Sequence, residues 1–385
     1  MHEMPRMMRI EINPAVFKWL RVSAGWSVEE VSNRLKTSIE NIKAFESGEK
    51  APTLRQLKEL SKAYNRPLAA FFLSEPIKEK PLPEDYRMLP GRKNIFDKKT
   101  IVVLRKARNL QEIGSELSKN INYRISPKVE HVKISDNPGY MAEKYRKIFG
   151  LTEEKQRKFK TPYEFFDYLR DILEDMNILV FQFSMPVEDA RGFALTDENP
   201  NVIVVNTKDS IEARIFSLMH EFAHILLGQT VIDFPDVSVT TRNKIEAWCN
   251  EFAASFLLPK EMAKNLFEPE RNVITSPKTL NSLSRKYKVS KAMLLLNMLK
   301  LGYIPKTKYK EVLERYKAKD MEKREEKQGG GRIPPDKKCL SKVGTKFVSI
   351  VANNYDQNYI TYTDALNYLS IRAKNFDKVL AQARK

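Results

Sequence analysis

Apolar residues recur at helical spacing along most of the chain. Between residues 9 and 73 they predict five short helices. The second of these follows Ser27, with Glu30 three positions later, which is typical of a capping box at a helix N-terminus. A longer helix is predicted over residues 99 to 121, and another begins at Thr161. The pattern is that of a mainly helical protein.

Three short apolar runs interrupt the helical pattern in the middle of the chain, over residues 178 to 183, 191 to 196 and 201 to 206. Their length predicts β-strands, and the short connections between them predict an antiparallel sheet. An edge of such a sheet can accept an extended peptide as an added strand, or the molecule can cover the edge itself. Together the elements predict an α+β fold that is mainly α.

One apolar helix carries the polar residues that point to chemistry. Residues 215 to 227 are apolar on almost every side apart from Ser217, His220, Glu221 and His224, and Gly228 ends the pattern. Helical residues four apart lie about 40° apart around the axis, so both imidazoles can face one metal ion. This is the spacing of zinc peptidases, in which the ion lowers the pKa of a water molecule and the glutamate takes the proton.

A zinc site of this kind needs a third protein ligand, and the next apolar helix offers one. Glu246 is the favoured candidate. Glu251 is a rival that we expect on an exposed face of the same helix, and Cys249 is a weaker one. Asn250, one turn beyond Glu246, is placed to support a ligand histidine through a hydrogen bond. Such a ligand set accepts Mn²⁺ or Fe²⁺ as well as Zn²⁺.

These residues resemble the ImmA/IrrE family of bacterial and archaeal metallopeptidases. The matching segments are His220 to His224, Glu246 with Asn250 to Pro259, and upstream residues 177–181, 191–194 and 200–206 with Asp209. The resemblance implies a zincin-like peptidase domain with His220, His224 and Glu246 as metal ligands. It also implies an endopeptidase that cleaves a partner repressor of the Xre type in stress responses or mobile-element control.

The five N-terminal helices resemble the helix-turn-helix of the Xre/Cro family. The matches are core positions, namely Ile42, Glu46, Gly48 and Pro52. The resemblance implies that the helix carrying Asn41 and Lys43 enters the DNA major groove, where these side chains suit a base edge or a phosphate. Val28 and Lys36 stand where the family usually has glutamine and glycine. The alternative is a domain that binds only protein or forms a homodimer.

Composition narrows the choice of partners and compartment. The 385 residues suffice for two or three domains, and the net charge of +18 favours a nucleic acid or an acidic protein as partner. The two cysteines, Cys249 and Cys339, are too few for a disulfide framework and fit a reducing compartment. No apolar run approaches the length of a membrane span, so we predict a cytoplasmic protein without a membrane partner.

These patterns divide the chain into five predicted segments. In order, they are a helix-turn-helix domain (1–75), a linker with a bridging helix (76–135), a zincin-like peptidase domain (136–304), a basic glycine-containing linker (305–346) and a helical C-terminal extension (347–385). The predicted fold is thus an N-terminal five-helix domain, then a peptidase domain with a small antiparallel sheet, then a helical extension.

Two hypotheses about function follow. The first is a zinc-dependent endopeptidase with Glu221 as general base, whose protein substrate is an Xre-type repressor or an antitoxin, in transcriptional or toxin–antitoxin control. The second is a non-catalytic regulator or antitoxin-like binding protein. In that case the metal domain is a scaffold or sensor, and DNA or a toxin is the partner.

Overall fold

The structure, a computed structural model, describes residues 9–77, 96–123, 125–228, 231–233, 244–271, 273–326 and 334–383. For residues 231–233 and 317–326 it gives the backbone only. The described residues form two compact units, the first ending at Lys106 and the second beginning at Ala107. Parts of both predicted linkers, residues 78–95 and 327–333, lie outside the described residues.

The first unit consists mainly of short helices whose starts are fixed by polar side chains. They are α1 (Pro14–Ser23), α2 (Val28–Leu35), α3 (Ile39–Ser47), α4 (Leu54–Tyr64) and a 3-10 helix (Leu68–Phe72). Side chains of Asn13, Ser27, Ser38 and Thr53 accept hydrogen bonds from the first turns of the four α-helices. The predicted capping box of Ser27 and Glu30 is present.

An aromatic core and a largely buried ion pair hold these helices together. Phe17 packs edge-on against Phe45, with ring centroids 5.7 Å apart. The Arg21 guanidinium donates to the Glu46 carboxylate at 2.5 Å from Nε to Oε1, and to the Trp26 carbonyl at 2.8 Å. Because both charged side chains are only 11% exposed, this bidentate pair fixes α3 against α1.

Helices also make up most of the second unit. A long helix, α5 (Lys98–Asn120), begins in the first unit and ends in the second. Thr161 caps the helix that begins at Pro162, as predicted. The remaining helices are α6 (Pro138–Ile148), α7 (Glu153–Lys158), α8 (Pro162–Asp175), α9 (Ile211–Leu226), α10 (Lys244–Leu257), α11 (Lys260–Phe267), α12 (Pro277–Tyr287), α13 (Lys291–Lys300), α14 (Lys306–Glu326), α15 (Pro335–Val343), α16 (Thr345–Asp356), α17 (Tyr362–Leu369) and α18 (Phe376–Ala383). None of the helices within the described ranges is long and apolar enough to cross a lipid bilayer.

A four-stranded sheet lies within the second unit. Its strands are β1 (Ile178–Phe183), β2 (Gly192–Leu195), β3 (Asn201–Asn206) and β4 (Val231–Asp233), in the order β1-β3-β2-β4. The mainly helical α+β class is confirmed, but the prediction of an antiparallel sheet was wrong. Strand β3 lies between β1 and β2, parallel to β1 and antiparallel to β2. Because β3 separates β1 from β2 in the sheet, the connection between β1 and β2 is not a hairpin.

Both faces of this sheet are covered. Side chains such as Val180, Ile203 and Val205 join the main core with α8 and α9. On the other face, the Phe181 ring packs edge-on against Phe347 of α16, with centroids 5.8 Å apart. Every residue of β1, β2 and β3 is buried. This explains why the strands are continuous apolar runs without polar alternation.

A buried ion pair on α8 holds the C-terminal helices. Arg170 Nε lies 3.1 Å from Glu174 Oε1 within α8, and both side chains are 5% exposed. Arg170 also donates to the Ser341 carbonyl of α15 at 2.9 Å, and Glu174 accepts the Lys346 amide of α16 at 2.8 Å. Both charges thus hold the backbone of the C-terminal helices.

Candidate metal centre

Helix α9 is positioned by its N-terminal turn. The hydroxyl of Ser210 accepts the Ala213 amide at 3.3 Å, which caps the helix. Arg214 donates to the carbonyls of Thr207 and Asp209 at 2.8 and 3.0 Å, and so holds the preceding loop against the helix. The strand β3, the loop and α9 are therefore one connected support for the residues further along the helix.

His220, His224 and Glu246 meet at one point. Nε2 of His220 lies 3.1 Å from Nε2 of His224. The two Glu246 carboxylate oxygens each lie 3.3 Å from one of these nitrogens, Oε2 from His220 and Oε1 from His224. The first two residues lie one turn apart on α9, and the third is in the first turn of α10. The structure thus brings together the three residues predicted to hold a metal.

The cluster lies in the interior of the second unit. His220, Glu221, His224 and Glu246 are all 0% exposed. Burial alone would raise the pKa of the Glu246 carboxyl. The hydrogen bonds and charges of His220 and His224 outweigh that effect and hold this pKa well below its ordinary value. An ionised carboxylate is the form in which a glutamate binds a metal ion.

This donor set fits a divalent metal ion. The ligand atoms of the three residues all lie within 4.8 Å of one another, and no other such group of His, Cys, Asp and Glu occurs in the described part of the chain. Two imidazoles and one carboxylate are a usual zinc set in catalytic sites, where a fourth position stays open. Burial of these polar groups without a cation would cost free energy, so their burial supports a metal ion at this position.

Glu221 lies beside the cluster, against strand β2. A Cβ atom built on Gly192 would come 3.1 Å from Glu221 Oε1 and 2.9 Å from the Val204 carbonyl oxygen. Gly192 pairs with Val205 of β3 and with Asp233 of β4. The missing side chain at this strand position thus leaves room for the Glu221 carboxylate between the helix and the sheet.

The other candidates on α10 have different surroundings. Glu251 is partly exposed and forms an ion pair with Lys300. Asn250 is half-buried and, within the described part of the chain, donates no hydrogen bond to either histidine. Cys249, fully buried, has its sulfur 3.6 Å from Nδ1 of His224. The side chain beside Nδ1 of His224 is therefore that of Cys249.

The DNA-binding candidates lie on α3 of the first unit. Lys43 is exposed. The Asn41 amide donates to Thr37 Oγ1 at 3.0 Å and accepts from Lys50 Nζ at 2.7 Å. Both ends of the Asn41 amide are thus held by local partners in this structure.

Two comparisons with known protein families match the segments that carry these two candidate sites. Residues 173–298, which contain the metal cluster and Glu221, match the family described as IrrE N-terminal-like domain, a peptidase family. Residues 17–71, which contain Asn41 and Lys43, match the family described as helix-turn-helix. The chain is a fusion of these two domains. Both parts of the predicted resemblance are confirmed, and a comparison with curated proteins finds no significant match.

Two residues of the IrrE-like domain escaped prediction. The family resemblance includes Gly192 but predicts no role for it, although a glycine inside a strand often marks a close approach. For Cys249 the sequence predicts only a weak candidate ligand. It lies three residues after Glu246, so the two side chains share a helix face. The direction in which each side chain approaches His224 depends on the packing of α10 against α9.

Proposed function

We propose that the chain is a metal-dependent endopeptidase that cleaves a protein partner, an Xre-type repressor or an antitoxin, and so controls transcription. The observation that carries the proposal is the cluster of His220, His224 and Glu246 next to Glu221, in a domain that matches a peptidase family. A buried core histidine pair would need no converging carboxylate from a second helix. The helix-turn-helix domain supports a role close to DNA.

In this proposal His220, His224 and Glu246 hold a metal ion, most simply Zn²⁺. A bound ion of this kind supplies Lewis acidity, which activates water and polarises a peptide carbonyl. Glu221 acts as the general base, taking the proton of the attacking water and passing it to the leaving amine. Its carboxylate lies against β2 and away from bulk water, where a general base is shielded from solvent.

The sheet edges limit where an extended substrate can bind. At the outer edge of β1, Arg170 donates to the Val180 carbonyl, and Gln182 donates to the Ser341 carbonyl of α15 at 2.9 Å. The C-terminal helices therefore occupy that edge. The opposite outer strand is β4, which pairs with the strand that carries Gly192. We propose that a substrate pairs on the β4 side of the sheet, which is also the side of Glu221.

The second candidate function is a non-catalytic regulator that binds DNA through α3. It is favoured by the exposed Lys43 on α3 and by the net charge of +18. In this alternative the metal cluster is structural. The two functions differ in one respect that can be measured, because only the peptidase requires the Glu221 carboxylate.

The test is a comparison of new protein N-termini in cells that express the wild type or Glu221→Gln. The expected result is a small set of new termini in the wild type, missing in the variant. Glu251→Gln is the matched control, because the same substitution falls on a partly exposed residue that pairs with Lys300. Equal sets of termini in the wild type and Glu221→Gln would contradict the role of Glu221. A zinc-loaded wild type that generates no termini would favour the regulator.

A further inference from the structure

Cys249 lies directly behind one of the proposed metal ligands. It is on α10, three residues after Glu246, and is 0% exposed. Its sulfur is 3.6 Å from Nδ1 of His224, within hydrogen-bond distance for sulfur. The other ring nitrogen, Nε2, is the one that faces His220 and Glu246. The two sides of the His224 ring thus have different neighbours.

This arrangement determines which tautomer of His224 can bind a metal. A nitrogen that coordinates a metal ion carries no proton, so coordination through Nε2 leaves the proton of the neutral ring on Nδ1. A buried N–H group needs an acceptor, and removal of that acceptor weakens metal binding in other sites. The Cys249 sulfur lies at the place where that acceptor is needed.

We infer that Cys249 is a positioning residue of the metal centre, whose sulfur accepts the Nδ1 proton of His224 and so keeps Nε2 directed at the metal. The inference rests on the proposed function, because it presupposes the metal site. It assigns Cys249 no coordination, since its sulfur contacts the ring nitrogen that faces away from Glu246. A carboxylate or carbonyl oxygen is the more usual partner of a ligand histidine.

The test measures zinc affinity by competition with a chromophoric chelator, in the full chain. Cys249→Ala removes the acceptor with little change in volume, and Cys249→Ser replaces it with a hydroxyl. Cys339→Ala is the control, because Cys339 is the other buried cysteine and its sulfur lies 3.7 Å from the Leu369 carbonyl oxygen of α17. We expect Cys249→Ala to bind zinc about tenfold more weakly. This is a small loss for the removal of a hydrogen-bond partner of a ligand histidine. Cys249→Ser should recover most of that loss, and Cys339→Ala should match the wild type.

A second readout separates positioning from general loosening of the core. With histidine labelled by ¹⁵N, the zinc-loaded wild type should show a protonated Nδ1 on His224 whose proton exchanges slowly with water. In Cys249→Ala the same proton should exchange faster, while the circular dichroism stays native. The chain has only 4 histidines, so the resonances can be assigned by substitution.

Three outcomes would overturn the inference. The first is a Cys249→Ala variant that matches the wild type in zinc affinity and proton exchange. The second is a Cys249→Ser variant that loses as much affinity as Cys249→Ala. In either case the wild type still binds zinc, so the proposed metal site stands. A wild type that takes up no zinc would overturn the proposed metal site, and this inference with it.

Discussion

The candidate metal centre and α3, the helix that carries the DNA-contact candidates, differ in how firmly their side chains are held. His220, His224 and Glu246 are fully buried and converge from two helices, α9 and α10. On α3, Lys43 is exposed and Asn41 is held only by its neighbours Thr37 and Lys50. A buried site of this kind is complete before its ligand arrives, whereas a DNA-reading surface takes its final side-chain arrangement on the nucleic acid. The consequences of substitution should differ accordingly.

The largest effect is expected at Glu221. Glu221→Gln should lower kcat/KM for a cleavable protein partner by about 10³-fold, because general-base catalysis contributes about 10²- to 10⁴-fold. Zinc content should stay unchanged, since Glu221 is not a ligand in the proposed site. Kinetics with an identified substrate, beside elemental analysis, check both statements. Cleavage at the wild-type rate by the zinc-loaded variant would remove Glu221 from the mechanism.

Zinc should stabilise the second unit but not the first. At a free zinc concentration about 100 times the dissociation constant, binding adds about 2.7 kcal/mol to the free energy of unfolding. Because the three ligands all belong to the second unit, its Tm should rise, while the first unit keeps its own Tm. Calorimetry with and without chelator measures this difference. In His220→Ala, zinc should have no effect on either transition.

A smaller effect is expected where the sheet contacts Glu221. In Gly192→Ala the new methyl group would meet the Val204 carbonyl oxygen and the Glu221 carboxylate, at 2.9 and 3.1 Å before any adjustment. Overpacking of this kind typically destabilises by about 1–3 kcal/mol. We expect a lower Tm of the second unit and reduced cleavage, with zinc retained.

The control for this substitution is Gly139→Ala in the first turn of α6. There the nearest atom to the added Cβ is the Asn137 side-chain oxygen, at 3.3 Å, and no backbone atom is close. The control should keep the wild-type stability and cleavage. Full activity and stability in Gly192→Ala would show that the gap at this strand position is not needed.

The smallest effect is expected on α3, which carries the DNA-contact candidates. Lys43→Ala should weaken DNA binding several-fold at physiological salt and reduce the slope of log K against log salt by about 1, as the loss of one phosphate contact predicts. Lys62→Ala on α4, also an exposed lysine of the first unit, is the control. Fluorescence anisotropy over a salt series gives both slopes. Unchanged binding in Lys43→Ala would favour a domain that binds only protein.

The cluster of His220, His224 and Glu246 was largely predictable because its decisive information is local. The spacing of His220 and His224 fixes their common helix face, and the apolar residues around Glu246 separate it from the partly exposed Glu251. The distinction between Cys249 and Asn250 was not predictable. Both lie near the Glu246 face of α10, three and four residues along, and the packing of that helix decides which side chain reaches His224.

The sheet shows the opposite case, because its arrangement depends on pairing between distant segments. Short connections suggested hairpins, but β3 pairs with both β1 and β2, so the sheet is mixed. The contact of Gly192 with Glu221 and the covering of the β1 edge by α15 are also non-local. No pattern within one strand predicts which element covers its edge.

The most direct measurement is the zinc content of the purified protein, in the wild type and in His220→Ala, Glu246→Ala and Glu251→Ala. We predict about one equivalent in the wild type and in Glu251→Ala, and none in the other two variants, because a catalytic zinc site needs three protein ligands. A wild type that stays metal-free after exposure to zinc would contradict the proposed site. So would a Glu246→Ala variant that keeps a full equivalent.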